Sequence, residues 1–503
     1  MREKQSMSDL PKFNAYINGA SVIPSSNTYF ETVNPYTSQA WAQVARCDAA
    51  DANSAIEAAY GAFTTGDWPA LSATQRGALL RRLGDLIAEN AEELAEYEVR
   101  DNGKLISEMS PQCHYIPQWY YYFGGLADKI EGAVLPIDKP EIFNYTRHEP
   151  LGVVVAITPW NSPLMLLTFK LAPALAAGNT IVIKPSEFTS TSTLRFIELF
   201  SEAGFPPGVV NVVTGFGAEV GAALVEHPKT AKVAFTGGSE SGARVYQAAA
   251  AGLKKCTLEL GGKSPNIIFD DADLDDAVKG AISGIFAATG QTCIAGSRLL
   301  VQNSIHDEFV AKLVDFAATA KMGDPMLRDT QVGPVTTPPQ FEKILQYVQV
   351  AKDEGAEVLL GGSPAIGKPE CGDSKYFIEP TIFGGVTNNM RIAQEEVFGP
   401  VLSIIRFDED DEAIAIANDI AFGLAAGVWT QSINRAIRIS NAIRAGTVWV
   451  NTYRAVSFMS PFGGYKQSGL GRENGIEAIR EYLQTKSVWI STATDVPNPF
   501  VMR

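Results

Sequence analysis

Cysteine and histidine are scarce in this sequence of 503 residues, which contains 5 cysteines and 4 histidines. The cysteines, Cys47, Cys113, Cys256, Cys293 and Cys371, are odd in number and show no paired spacing. This pattern fits a reducing compartment better than a disulfide framework. We therefore predict a cytoplasmic protein, and we predict no metal site.

Basic residues and long apolar runs are also in short supply. Lys and Arg number 41 against 56 Asp and Glu, a formal charge of -15, so the phosphates of a nucleic acid would meet net repulsion. The most apolar stretch, residues 164–183, is interrupted by Lys170 and Pro173, which makes a membrane span too costly. The N-terminus lacks the apolar region of a secretory signal. Nucleic acid and membrane are thus excluded as predicted partners.

What remains is an ordinary globular composition, with 46% hydrophobic and 19% charged residues. At about 150 residues per domain, the length predicts roughly three domains. From residue 151 onward, β-branched runs alternate with helical patterns, which is typical of parallel βαβ units buried on both faces. The predicted strands are residues 153–157, 181–184, 209–213, 232–235, 257–260 and 266–269. A second α/β region runs from a helix capped by Asp273 to about residue 450, and the chain before residue 151 is predicted to be mostly helical.

Two strand-like segments have no obvious partner in the sequence. They are residues 144–148 and residues 483–490, which lie far apart along the chain. Strands without a neighbour in their own domain often pair across subunits. We therefore predict a homodimer or homotetramer.

Two glycine-rich turns lie between a predicted strand and a predicted helix. Residues 215–221 read GFGAEVG and residues 235–242 read FTGGSESG. Free N–H groups and the helix dipole at such a turn can bind a pyrophosphate. Either turn alone is equally typical of a tight βα connection. The presence of two in one sheet favours a nucleotide.

Three polar residues sit where chemistry is plausible. Cys293 lies in a loop among small and polar neighbours, although a buried cysteine with no catalytic role is the commoner outcome for this residue type. As a protease or thioesterase nucleophile it would need a histidine base, and none of the four histidines has a suggestive motif. Glu259 ends an apolar strand, where burial would make it a usable base unless it points to solvent. Asn161 can donate to an oxyanion or simply cap a turn.

Eight motifs in order resemble the NAD(P)-dependent aldehyde dehydrogenase superfamily between residues 158 and 473. They read TPWNSP, IKPSE, GFGAEVG, FTGGSESG, LELGGKSP, GQTCIAGSR, EEVFGPV and PFGGYKQSGLGRE. The resemblance implies an α/β fold with a Rossmann-type parallel-sheet cofactor domain, an α/β catalytic domain and a small β oligomerisation flap. It also implies oxidation of an aldehyde to a carboxylic acid through a cysteine thiohemiacetal and a thioester.

The resemblance further implies residue roles. Cys293 matches the nucleophile, Glu259 the general base, Asn161 the oxyanion-binding amide and Lys170 a lysine near the site. Glu187 matches a carboxylate at the adenosine ribose, where it should repel a 2′-phosphate, so NAD is predicted over NADP. The implied cofactor contacts are Ile157, Thr158, Trp160, Lys184, Ser186, Glu187, Gly217, Ala218, Phe235, Gly237, Gly238, Ser239, Gly242, Glu396 and Phe398.

The sequence departs from many members of that family around the substrate. Ser162 follows Asn161 where an aromatic residue is common, and Val456 stands where another aromatic residue can lie. Both changes create space, while Tyr115, Phe169 and Phe462 are expected to line the remaining tunnel. The predicted substrate is therefore a small-molecule aldehyde, and bulky or aromatic aldehydes are expected to be accepted.

The resemblance also divides the chain. Residues 1–131 and 151–262 are predicted to form the NAD-binding domain, residues 263–477 the catalytic domain, and residues 132–150 and 478–503 the oligomerisation strands. Two alternatives stay open at this point. One is a CoA-acylating aldehyde dehydrogenase, against which Glu259 argues, and the other is a non-catalytic binding or structural protein on the same fold.

Overall fold

The computed structural model describes residues 10–495, Asn498 and Phe500. The predicted domain boundaries at residues 1 and 503 lie outside these described residues. The strands are β1 (Lys12–Phe13), β2 (Ala15–Ile17), β3 (Ala20–Val22), β4 (Tyr29–Asn34), β5 (Gln39–Ala45), β6 (Ile142–Pro150), β7 (Val153–Ile157), β8 (Thr180–Lys184), β9 (Val210–Val212), β10 (Thr230–Thr236), β11 (Lys255–Glu259), β12 (Pro265–Ile268), β13 (Arg298–Gln302), β14 (Glu357–Leu360), β15 (Thr381–Gly384), β16 (Val401–Phe407), β17 (Phe422–Gly423), β18 (Ala425–Trp429), β19 (Thr447–Val450), β20 (Tyr465–Lys466), β21 (Gly469–Leu470) and β22 (Leu483–Ser491).

The helices alternate with these strands through most of the chain. They are α1 (Ala49–Thr64), α2 (Ala73–Glu89), α3 (Ala91–Asn102), α4 (Ile106–Tyr115), α5 (Pro117–Leu126), α6 (Pro163–Ala176), α7 (Thr191–Phe196), α8 (Glu198–Ala203), α9 (Ala222–Glu226), α10 (Ser239–Ala251), α11 (Leu274–Ile285), α12 (His306–Ala318), α13 (Pro338–Asp353), α14 (Arg391–Gln394), α15 (Asp410–Asn418) and α16 (Ile433–Ala442). Among the described residues, no helix is both long and apolar enough to cross a bilayer.

The first large sheet has the strand order β21-β11-β10-β7-β8-β9-β2-β3. The five strands from β11 to β9 are parallel, and β21, β2 and β3 add antiparallel edges. Helix α1 packs on one face, while α2, α5 and α6 cover the other face. Burial on both faces explains why the predicted strands read as continuous apolar runs, and the first five predictions are confirmed within two residues at each end.

The second large sheet has the order β14-β15-β16-β13-β12-β18-β19. It is parallel apart from the antiparallel pair β14 and β15. The sixth predicted strand is β12, which belongs to this sheet rather than to the first. Asp273 caps α11 as predicted, since its side chain accepts from the Asp276 N–H. The two parallel sheets confirm the predicted α/β class, whereas the division into domains stays a prediction.

The prediction of a mostly helical N-terminal region was wrong for its first part. Strands β1 to β5 precede the first helix, and β1, β5 and β4 form a sheet of their own. Strands β2 and β3 instead extend the first large sheet, so their partners lie far along the chain. Such short strands are specified by tertiary pairing more than by local pattern. Helices α1 to α5 follow, so the helical prediction is confirmed for residues 49–126.

The two strand-like segments that had no obvious partner in the sequence pair with each other within one chain. Residues of β6 and β22 form an antiparallel ladder from Leu483 opposite Pro150 to Ser491 opposite Ile142. The sequence showed no obvious partner because about 340 residues separate the two strands. The ribbon leaves Phe143 44% exposed and Trp489 58% exposed, and its predicted role in oligomerisation remains a prediction.

Candidate active site

A cleft of about 690 Å³ opens where the parallel strands of the first sheet end. This is the usual position of ligand sites in open α/β sheets. The predicted residues that line it are Ile157, Thr158, Trp160, Asn161, Lys184, Ser186, Glu187, Gly217, Ala218, Phe235, Gly237, Gly238, Glu259, Cys293, Glu396 and Phe398. Residues scattered over about 240 positions of sequence are thus brought to one cavity.

Cys293 lies in an irregular segment before β13. Ala288 and Thr289 have φ of 54° and 53° just upstream, and at Gly290 a Cβ would lie only 2.0 Å from the Gly399 carbonyl oxygen. Just after Cys293, Tyr453 Oη donates a hydrogen bond to the Ile294 carbonyl at 3.0 Å. The segment therefore holds the half-buried thiol at a fixed place on the cleft wall.

Electrostatics at Cys293 favour the neutral thiol. Desolvation, together with the nearby carboxylates of Glu259 and Glu396, raises the pKa of Cys293 to about 12. Lys104 acts in the opposite sense and lowers this pKa. Since the thiolate is the reactive form, the sulfur is largely protonated at neutral pH before a ligand binds.

Glu259 ends β11 and is 4% exposed. Within the described residues, neither of its carboxylate oxygens has a hydrogen-bond partner. Burial raises its pKa well above the ordinary value, and the charge of Glu473 adds to this, while Lys170 and Arg472 oppose it. A desolvated carboxylate with both oxygens free can accept a proton from a water molecule.

Lys170 lies behind the cleft rather than on its wall. Its buried ammonium group pairs with Glu473 and also donates to Thr236 Oγ1 at 2.6 Å. Glu473 was not among the predicted site residues, although it ends the last of the quoted motifs. The pair places a matched positive and negative charge beside Glu259.

Asn161 connects β7 to α6 and is 5% exposed. Its Nδ2 donates to the Gln291 carbonyl at 3.0 Å, two residues before Cys293. An amide nitrogen carries two hydrogens, so one donor stays available to a ligand. The amide and the thiol are therefore held together by direct contact between their segments.

Polar groups line the far end of the cleft. Lys184 ends β8, and its Nζ donates to Glu187 Oε2 at 3.3 Å. Burial lowers the pKa of Lys184, while Glu187 raises it. After β10, two strands away in the sheet, Gly238 is the N-cap of α10 and has no side-chain cap among the described residues. This helix N-terminus is free to bind an anion through its N–H groups.

Glu396 and Phe398 border the cleft near Cys293. Glu396 Oε1 accepts from the Gly262 N–H at 2.9 Å, and burial raises the pKa of Glu396. Phe398 has φ of 58° and contacts Trp160 edge to face, with ring centroids 5.3 Å apart. These contacts orient a carboxylate and an aromatic edge toward the same space.

Two predicted cofactor residues, Ser239 and Gly242, are not among the residues that line the cleft. Ser239 is the first residue of α10. Gly242 packs so closely on Leu260 that a Cβ would lie 2.3 Å from its Cδ2. Gly242 thus has a packing reason to be glycine, which brings α10 close to the strand end.

The predicted tunnel residues lie outside the lining of this cleft. Trp119 stacks on Phe169 at 5.2 Å and contacts Tyr115 at 5.0 Å, and Phe169 contacts Phe462 at 6.3 Å. Phe462 belongs to the same apolar cluster as Cys293, and Val456 packs on the core of the first sheet. A chain of aromatic contacts therefore runs from Tyr115 to Phe462, which lies in the same cluster as Cys293.

Ser162 was predicted only to leave space for the substrate, but its side chain also makes a buried hydrogen bond. Its hydroxyl accepts a hydrogen bond from Lys104 Nζ at 2.9 Å. Both residues are buried, with Lys104 4% and Ser162 9% exposed. The volume that a large aromatic side chain would fill is therefore bordered by an ammonium group.

Several lining residues were missed from the sequence. Ser241, Arg244, Val245 and Ala248 line the cleft from one face of α10, and their spacing of three and four residues was the signal that could have found them. Gln340 and Lys343 reach the cleft from α13, far along the chain, and carried no such signal. The remaining missed residues stand within or beside the quoted motifs and elements: Pro159, Leu166, Phe188, Gly221, Ala222, Val225, Glu226, Thr236, Leu260 and Gly261.

Comparison with known proteins agrees with this geometry. Residues 22–488 match the Aldehyde dehydrogenase family. The chain is 46% identical over 497 residues to (Z)-2-((N-methylformamido)methylene)-5-hydroxybutyrolactone dehydrogenase of Acinetobacter baylyi, covering 98% of this chain and 100% of that protein.

Solved structures give the same result. The NAD+ complex of aldehyde dehydrogenase from Bacillus cereus superposes with a TM-score of 0.93 at 44% identity, covering 96% of this chain and 97% of that chain. Betaine aldehyde dehydrogenase from Staphylococcus aureus in complex with NAD+ superposes with a TM-score of 0.96 at 41% identity, covering 98% of both chains.

Proposed function

Because this chain belongs to the aldehyde dehydrogenase family, we propose that its cleft oxidises an aldehyde to the carboxylic acid with NAD, using Cys293 as nucleophile. The observation that carries the proposal is the convergence of Cys293, Asn161 and Glu259 on one cavity. A thiol, an oxyanion donor and a desolvated base are the three groups that acyl chemistry on a cysteine needs.

The far end of the cleft fits a dinucleotide. The uncapped N-terminus of α10 can receive a pyrophosphate, and a Cβ at Gly217 or Gly238 would have open space around it. Lys184 and Glu187 would hold the adenosine ribose, and Glu396 and Phe398 would border the nicotinamide side. When bound, NAD supplies the hydride acceptor of the reaction.

Cys293 and Asn161 carry the first half of the chemistry. The Cys293 thiol releases its proton to solvent water and the thiolate forms a bond to the aldehyde carbon. The π bond of the carbonyl breaks, so that its oxygen becomes an alkoxide. The free hydrogen of Asn161 Nδ2 and the Cys293 N–H donate to that oxygen, which stabilises the developing charge. Loss of a hydride from the adduct leaves a thioester on Cys293.

Glu259 carries the second half. Its free oxygens accept a proton from water, and the resulting hydroxide attacks the thioester carbon and releases the acid and the thiolate. The ion pair of Lys170 and Glu473 lies beside this carboxylate and adds one positive and one negative charge there. Activation of water here distinguishes hydrolysis from transfer to coenzyme A.

The function is tested by NADH absorbance with aliphatic, aromatic, amino and semialdehyde substrates, with and without coenzyme A. We expect NADH formation that needs no coenzyme A. Strict dependence on coenzyme A would favour the acylating alternative. No NADH with any aldehyde, with Cys293 shown to be reduced, would favour a non-catalytic role.

Glu187 is proposed to select NAD over NADP. Glu187→Gln removes the negative charge that a 2′-phosphate would meet, so the ratio of kcat/KM for NAD to that for NADP should fall at least about tenfold. Glu226→Gln is the matched control, because Glu226 lines the same cleft and should leave the ratio unchanged. Equal kcat/KM with both cofactors in the parent protein would contradict this role.

The proposed preference for bulky or aromatic aldehydes depends on Ser162 and Val456. We expect Val456→Phe to lower the ratio of kcat/KM for benzaldehyde to that for acetaldehyde about tenfold, because it refills the tunnel. Ser162→Phe should act in the same direction but also removes the partner of Lys104. Unchanged ratios in both variants would refute the preference.

The ribbon of β6 and β22 is proposed to join subunits into a homodimer or homotetramer. Its exposed Phe143, Trp489 and Ile490 offer apolar area that a subunit contact would cover. The proposed domain division assigns this ribbon to an oligomerisation flap, separate from the NAD-binding and catalytic domains. Size-exclusion chromatography that shows only monomer at micromolar concentration would remove the proposal.

A further inference from the structure

The region from α3 to α4, with the turn between them, contacts both the segment that carries Asn161 and the segment that leads to Cys293. α3 ends at Asn102 and is capped by Gly103, which has φ of 72° and packs on Pro334. The carbonyl of Asn102 accepts from Thr336 Oγ1 at 2.5 Å, and Glu108 Oε1 accepts from the Ala288 N–H at 2.7 Å. The turn is therefore fixed to the segment that leads into Cys293.

Lys104 extends from this turn to the segment that carries the amide. Its Nζ donates to Ser162 Oγ at 2.9 Å, and Ser162 directly follows Asn161. Asn161 in turn donates to the Gln291 carbonyl at 3.0 Å. A continuous set of contacts thus runs from the Lys104 ammonium through the amide segment to the nucleophile segment.

The carboxylates near Lys104 are partly committed elsewhere. Glu98 Oε1 accepts from the Leu164 N–H at 2.8 Å and Glu108 from Ala288. The second oxygen of each carboxylate has no partner among the described residues. Neither carboxylate therefore holds the Lys104 ammonium directly, and its hydrogen bond goes to Ser162.

The charge balance supports an electrostatic role. Burial is the main cause that lowers the pKa of Lys104 to about 8; Arg454 acts in the same direction, and Glu108, Glu98 and Cys293 act against it. The interaction is mutual, because Lys104 lowers the pKa of Cys293 against the raising effects of Glu259 and Glu396. A buried cation on the segment next to Asn161, whose amide contacts the Cys293 segment, favours the thiolate over the thiol.

We propose that Lys104 is a positioning residue for the Cys293 chemistry: its ammonium group, held by Ser162, fixes the Asn161 segment and stabilises the negative charge that forms on the sulfur. The inference rests on the proposed function and adds to it a group outside the cleft lining. Its charge would matter most in the step that forms the thiolate.

The test is the rate at which iodoacetamide alkylates Cys293, followed by peptide mass spectrometry across a range of pH without aldehyde or NAD. Lys104→Met should slow alkylation about tenfold near neutral pH and move the profile to higher pH. Lys104→Arg keeps the charge and should restore most of the rate. Lys232→Met, which removes another buried lysine charge, is the matched control and should leave the profile unchanged.

Catalysis provides a second readout. Lys104→Met should lower kcat while leaving the KM for NAD within about twofold, since Lys104 lies outside the cleft lining. If Lys104→Met does not fold, Ser162→Ala decides, with alkylation expected to slow about fivefold through loss of one hydrogen bond. A parent-like alkylation profile in the folded variant overturns the inference.

The alkylation measurement also separates this inference from the proposed function. It needs neither substrate nor cofactor. Parent protein that oxidises no aldehyde would therefore overturn the proposed function alone. Parent protein that oxidises aldehydes, together with a Lys104→Met profile identical to its own, would overturn this inference alone.

Discussion

Cys293→Ala should lower kcat for aldehyde oxidation by at least about 10⁴-fold. The variant cannot form the bond between sulfur and aldehyde carbon, so no adduct arises from which a hydride can leave. The measurement is initial NADH formation at saturating aldehyde and NAD. NAD binding, followed by protein fluorescence, should stay near the parent value because Cys293 is one of many residues that line the cleft.

Cys256→Ala is the matched control for this variant. Cys256 lies on β11, three residues before Glu259, and desolvation raises its pKa to about 11. It does not line the cleft, so its loss should change kcat by less than about twofold. Activity in Cys293→Ala above about one hundredth of the parent value would contradict the nucleophile assignment.

Glu259→Gln should uncouple the two halves of the reaction. The amide cannot take a proton from water, so thioester hydrolysis should slow about 10²-fold to 10⁴-fold. Formation of the thioester needs no base at this position, so a burst of about one NADH per active site should precede the slow steady state. Stopped-flow absorbance measures both phases.

The pH dependence of the parent protein checks the same residue. Because the pKa of Glu259 is raised by burial, the carboxyl group is protonated at low pH and becomes a base only as the pH rises. Steady-state kcat should therefore increase with pH where hydrolysis limits, and Glu259→Gln should lose this increase. Loss of the burst as well as the steady state would assign Glu259 to an earlier step.

Much of the fold follows from local pattern. Residues 153–157 were predicted as a strand and form β7, because burial between two helical layers demands an unbroken apolar run. The glycines of FTGGSESG predict a strand, a turn and a helix start for the same kind of reason. The residues of α10 that line the cleft could also have been predicted from the sequence, since helical spacing is a local property.

The candidate site could be predicted only in part. Cys293, Glu259 and Asn161 stand in motifs, so their place along the chain is evident. The hydrogen bond that Ser162 accepts was not evident from the sequence, because its partner Lys104 is 58 residues away. Glu473 reaches Lys170 across 303 residues, and no local period reports such a contact.

The sequence by itself determined the α/β class, the order of strands and helices around the motifs, and the identity of the chemical groups. Those properties depend on burial pattern and backbone preference over a few residues. Only the tertiary structure decided that β6 pairs with β22, that β2 and β3 join the first sheet, and that Lys104 contacts Ser162. Each of these depends on contacts between distant segments, whose geometry is set when both sheets and their helices pack together.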